Sequence, residues 1–78
     1  MHTFRDLIRV WGSIRAFATA IGVPYETARA WHNRNSIRTE HWGDVLDVAH
    51  ARGLELTTDD LYRMSRATTR ERRSRAAA

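Results

Sequence analysis

The stretch from Ser13 to Arg34, SIRAFATAIGVPYETARAWHNR, constrains this chain more than any other. Ile14, Phe17, Ala18 and Ile21 recur at i, i+3, i+4 and i+7, the spacing that lines one face of an α-helix. Gly22 follows at once, where a helix end favours a residue that accepts a left-handed backbone. Pro24 has φ pre-set for a first helical turn and lacks an N–H that such a turn leaves unpaired anyway. Beyond it Ala28 and Trp31 make one inward face, while Tyr25, Glu26, Arg29 and Asn33 point elsewhere. A buried helix, a glycine-led turn and a second helix with a polar outer face predict a helix-turn-helix.

The flanking segments repeat the helical logic. Thr3 suits an N-cap, with Asp6 three residues on, and Phe4, Leu7, Ile8 and Trp11 keep the apolar spacing until Gly12. Ser13 caps the next helix directly. After a loop at Asn35-Ser36-Ile37-Arg38, anchored by Ile37, Thr39 is read as the cap of a fourth helix with Trp42, Val45, Leu46 and Ala49 inward and Gly53 at its end. Leu54-Glu55-Leu56 alternates and reads as extended. Thr57 or Thr58 then opens a fifth helix, whose apolar contacts come from Leu61, Tyr62 and Met64. The expected fold is all-α, a compact five-helix domain with helices at about 4–11, 14–21, 24–34, 40–52 and 58–67. Residues 1–67 form the expected domain. Residues 68–78 are polar, arginine-rich and alanine-ended, and are expected to be frayed or disordered without a partner.

A chain of 78 residues points to one domain with a small core. Without cysteine there is neither a disulfide framework nor a thiolate metal site. No segment approaches the roughly 18 apolar residues of a membrane span, and no signal peptide is visible, so a cytoplasmic protein is expected, with no membrane partner. His32, His41 and His50 lack a zinc-type spacing, and no nucleophile or paired acid–base set appears, so neither a cofactor nor enzymatic activity is expected.

All thirteen basic residues are arginine, and the net charge is +4. Arginine's planar fork suits phosphates and guanine edges, although codon bias in a GC-rich genome also explains the absence of lysine. The distribution says more than the total. Arg15, Arg29, Arg34 and Arg38 outweigh Glu26 across 13–38. Glu40, Asp44, Asp47, Glu55, Asp59 and Asp60 outweigh Arg52 across 39–62. Residues 63–78 hold six arginines against Glu71. One basic face opposite an acidic one is the asymmetry expected of a protein that meets a polyanion.

Phe17-Ala18, Ile21-Gly22-Val23 and Trp31, three residues after an inward Ala28, resemble the helix-turn-helix of the lambda Cro and lambda repressor family over residues 13–37. The chain departs from the family's pattern at three places. Ile37-Arg38 stands where an Ile-Pro pair often follows the reading helix, Pro24 where a serine or threonine often caps it, and Ile14 where a glutamine often clamps a phosphate. The resemblance implies a sequence-specific DNA-binding transcription regulator, acting as a repressor, of phage or mobile-element type. Its third helix, 24–34, enters the major groove of double-stranded DNA at a pseudo-palindromic operator. Tyr25, Glu26, Arg29 and Asn33 fall at the groove-facing positions, with Arg29 suited to guanine O6 and N7 and Glu26 to a cytosine amino group. Ser13, Arg15, Arg34 and Arg38 are the expected DNA backbone contacts.

Plainer readings stand beside these. Glu26 lies in a first helical turn, where any acid suits the dipole, and i, i+3 from Arg29 it forms an ordinary surface ion pair. The terminal arginines either track phosphates or only solubilise the end. A homodimer is expected, with Leu54, Leu56, Leu61, Tyr62 and Met64 as the first candidates for its surface, unless they finish the monomer core. Two rival functions remain: an adaptor that touches RNA polymerase through the acidic face, and a sequence-tolerant nucleic-acid binder driven by the arginine end. Association with the nucleoid follows if DNA is the partner.

Overall fold

The computed structural model describes residues 2–77. Among them the chain forms five α-helices and no strand: α1 Phe4–Arg9, α2 Ile14–Ile21, α3 Tyr25–Arg34, α4 Trp42–Ala51 and α5 Thr58–Ala77, with a 3-10 turn, Thr39–His41, leading into α4. The all-α, five-helix architecture expected from periodicity is the observed one. None of these helices is long and apolar enough to cross a membrane.

Local chemistry explains most boundaries. Thr3 Oγ1 accepts the Asp6 backbone N–H at 3.1 Å, while the Asp6 carboxylate accepts from the His2 N–H. This is a capping box displaced by one residue, because the carboxylate reaches past the cap itself. Ser13 Oγ accepts from the Ala16 N–H and opens α2. At the other end Gly22 turns left-handed at φ 86° and donates its N–H to Ala18, as does Val23. Pro24 is not the first residue of α3 but its cap. Its ψ of 147° is extended, and its carbonyl accepts from Thr27 and Ala28. At α5, Thr57 and Asp60 satisfy each other's backbone N–H groups reciprocally, which settles the cap on Thr57.

Three further boundaries differ from expectation. The first helix ends at Arg9, and Val10 to Gly12 form a turn whose N–H groups bond to the carbonyls three residues back. The fourth helix begins at Trp42 rather than residue 40. Thr39 opens a single 3-10 turn that positions the Trp42 indole to donate to the Ile37 carbonyl at 2.9 Å. The largest difference is α5, which continues through Ala77 where a disordered basic end was expected; Ala78 lies outside the described residues. The continuation is tied to the domain. Thr68 is buried, and its hydroxyl lies against the carbonyls of both Asn35 and Met64, while Glu71 accepts from the Asn35 amide at 3.3 Å.

The core gathers Phe4, Leu7 and Ile8 of α1, Phe17 and Ala18 of α2, Ala28 and Trp31 of α3, Ile37, Val45 and Ala49 of α4, Leu56, and Leu61 and Met64 of α5. Phe17 is its aromatic centre, with Trp11 edge-on at 5.1 Å and Trp31 edge-on at 6.3 Å between ring centroids. Such pairs favour tilted geometry through the ring quadrupole. Leu56, Leu61 and Met64 are at most 2% exposed, so these candidates for a dimer surface are consumed by the monomer core. Tyr62 alone of that group is largely exposed, at 55%.

Thr68→Val keeps the shape of the side chain and removes its only donor. The Asn35 carbonyl is then left without it in a buried site, a loss of about 1–3 kcal/mol. Urea unfolding should show a lower midpoint at unchanged slope. An unchanged midpoint contradicts the role assigned to Thr68.

Candidate nucleic-acid interface

The outer face of α3 follows from its inner one. Ala28, Trp31 and the capping residue Asn35 are buried, so Glu26, Arg29 and Asn33 fall on the exposed side. The three occupy one arc, with Ala30 half-buried at its edge. The Arg29 guanidinium and Glu26 carboxylate are 3.6 Å apart, with side chains 56% and 77% exposed. An exposed pair of this kind is worth only about 0–1 kcal/mol, so Arg29 is held in place but is cheap to redirect toward a stronger acceptor.

The four expected base-reading residues are not equivalent. Tyr25 is half-buried and lies beneath Arg15, whose guanidinium carbon is 4.8 Å from the ring centroid. That cation–π contact joins the start of α3 to α2. Tyr25 therefore sits with Arg15 at one border of the exposed arc rather than at its centre. Asn33 presents its side chain to solvent, while its carbonyl accepts from Arg5.

The expected backbone contacts also separate. Ser13 Oγ is occupied as an acceptor by the Ala16 N–H, which leaves its own proton free to donate to an anion. Arg15 is exposed above Tyr25. Arg38 is exposed and 3.3 Å from Glu40. Arg34 is exposed and has no carboxylate within ion-pair distance among the described residues. Arg34 and Arg38 line a groove of about 430 Å³ along the flank of α3, with Thr27, Ala30, Trp31, Ser36 and, at its near edge, Glu26.

Two contributions were not legible from the sequence. Arg72 of α5 lines the same groove. Composition alone assigns it to an unstructured end, although Leu61, Met64, Thr68 and Glu71 keep a helical spacing of three or four that continues past residue 67. The signal was hidden because the stripe turns polar halfway along. The second is the arginine that holds α3. Arg5 Nε donates to the His32 carbonyl at 2.8 Å and Nη2 to the Asn33 carbonyl at 2.9 Å, and its own backbone N–H donates to the Asn35 side-chain oxygen. Arginine at a helix C-terminus is electrostatically favourable, but nothing in the local sequence says that a residue 27 positions away supplies it. Neither a family model, nor a curated protein, nor a solved structure matches this chain.

His32 sits near this arginine. Burial holds its pKa below the ordinary 6.5, and the charges of Arg5 and Arg9 act in the same direction. The unfolded chain therefore binds the His32 proton more readily than the folded one. Its contribution to stability is complete above about pH 6.5 and is lost as pH falls through the lowered value. Unfolding measured from pH 7 down to 5 should show stability declining, and His32→Gln should flatten that decline. An identical slope in the variant would assign the decline to other groups.

Proposed function

We propose that this protein is a sequence-specific DNA-binding regulator that inserts α3 into the major groove. The observation that carries the reading is the arrangement around that helix. Glu26, Arg29 and Asn33 share one exposed arc, bordered on one side by Arg15 over Tyr25 and on the other by the groove of Arg34 and Arg38. Polar side chains able to address base edges lie between cations able to neutralise phosphates. The preceding helix packs closely on α3 through Phe17 and Ala18 across a turn set by Gly22, so α3 is presented on a rigid support.

In this reading Arg29 exchanges its exposed partner Glu26 for guanine O6 and N7. Glu26 is then free to accept from a neighbouring cytosine amino group, and Asn33 addresses adenine or a phosphate. Two copies on a pseudo-palindrome, with half-site centres about 34 Å apart, supply the affinity that one small domain lacks. Occupancy of such an operator is a repressor's mechanism.

The test is selection of bound duplexes from a random library at about 150 mM salt. A symmetric motif should emerge, and Arg29→Ala should relax the preference at one position per half-site, a discrimination of about 1–3 kcal/mol, with the unfolding midpoint little changed. If no motif emerges from the wild type, the specific regulator is the wrong reading. If partner binding in the absence of DNA survives Arg29→Ala unchanged, an adaptor role takes its place.

A further inference from the structure

We infer that Arg72 of α5 joins Arg34 and Arg38 in a seat for one DNA backbone phosphate, built where the end of α3 meets α5. This rests on the proposed DNA reading and adds to it an element outside the helix-turn-helix. Three arginines line one groove, and Ser36 and Thr27, which are neutral residues able to hydrogen-bond, complete its polar lining beside Glu26. Glu26 is the one acid there, and it is engaged by Arg29 on the side toward the exposed arc. Among the described residues neither Arg34 nor Arg72 has a carboxylate within ion-pair distance, and the acid next to Arg72 in sequence, Glu71, is turned to Arg5, Arg75 and Asn35. Arg38 has an exposed counter-charge in Glu40 at 3.3 Å, whereas Arg34 and Arg72, brought to the same groove without one, repel each other, and an anion between them relieves that repulsion. The guanidinium fork offers paired donors that match two phosphate oxygens.

Two further features suit this occupant. A helix C-terminus ordinarily repels an anion, but the last carbonyls of α3 at His32 and Asn33 are already covered by the Arg5 guanidinium. The groove also borders the exposed arc through Glu26, so a duplex whose bases meet Arg29 runs its backbone along this flank. Arg73, next in the chain, lies on another side of α5, in a groove with Tyr62, Arg66, Thr69 and Arg70. Arg72 and Arg73 are both exposed and carry the same charge, yet only Arg72 faces α3.

That difference supplies the experiment. Binding of the full chain to its selected duplex and to a scrambled duplex of equal length is measured by fluorescence anisotropy from 50 to 300 mM salt, for wild type, Arg72→Ala and Arg73→Ala. A phosphate contact contributes about 0.9 to the slope of log K against log salt. Because Arg34 and Arg38 share the phosphate, Arg72→Ala should make the slope shallower by up to that amount on both duplexes, and Arg73→Ala by less than half as much as Arg72→Ala. Equal effects of the two substitutions would mean diffuse attraction to the arginine-rich helix and would overturn the seat, with the sequence preference of the wild type untouched. No effect of Arg72→Ala on either duplex overturns it as well. If the wild type fails to prefer its selected duplex while the contrast between Arg72 and Arg73 persists, the base-reading proposal falls and the seat stands.

Discussion

The C-terminus of α3 is where this small domain is tied together. The Arg5 guanidinium from α1 closes two of the carbonyls that the helix leaves open, and Asn35 turns the chain left-handed at φ 54°. The Asn35 amide accepts from the Arg5 N–H and donates to Glu71, and its carbonyl accepts from Thr68. Three helices from the beginning, middle and end of the sequence thus meet at one buried asparagine. Hydrogen bonds to charged groups contribute about 1.5–3 kcal/mol each, against a total stability of about 5–15 kcal/mol for ordinary domains. A few such bonds are a large share for a core of this size. They also fix the end of α3 furthest from the glycine turn, so the helix is held at both ends.

The arginines divide into two groups by what their side chains meet. Arg5 and Arg52 are engaged by backbone carbonyls of the chain itself. Arg52 donates to the Val10 carbonyl at 3.0 Å and lies 5.3 Å from the Trp11 ring centre, so it secures the end of α1. Arg15, Arg29, Arg34, Arg38 and Arg72 remain at the surface around α3. Net charge treats all of these alike. What matters for binding a polyanion is which cations already have backbone acceptors in the folded chain, because those cannot turn outward without exposing an unpaired carbonyl.

The periodic part of the fold was legible in the sequence. Apolar spacing placed α1 to α4 and their inward faces, and Ser13, Gly22 and Gly53 marked ends that the structure confirms, since their chemistry is local. Trp31 was correctly placed in the scaffold. The parts that were not legible depend on partners distant in sequence. Asn35 looked like an ordinary loop residue, yet it is the polar hub because Arg5 and Glu71 arrive from 30 and 36 positions away. The end of α5 looked disordered because composition measures apolar content, and its inward stripe past Met64 is made of Thr68 and Glu71. Such a stripe holds a helix only if the facing surface offers matching polar groups, and that surface is Asn35 and Arg5. Within the candidate site, the outward arc of α3 was legible from helical geometry, whereas the contact of Arg15 with Tyr25 and the groove position of Arg72 depend on how helices meet.

The same tie determines what the basic end of the chain can do. A disordered segment with four arginines makes no distinction among them, and it must pay ordering entropy on meeting a partner. Once Thr68 and Glu71 are held inward, the helical register assigns a direction to every residue around them. Successive residues on an α-helix are separated by about 100°, so neighbouring arginines are sent to different surfaces: Arg72 to the flank of α3, Arg73 to the side of Tyr62. Beyond the tie, Arg75 pairs with Glu71 at 3.0 Å, acid before base at i, i+4, the order that suits the helix dipole. An arginine run that composition shows only as charge thereby becomes a set of directed groups. The residue that sets their direction is Asn35, at the end of the helix proposed to read DNA.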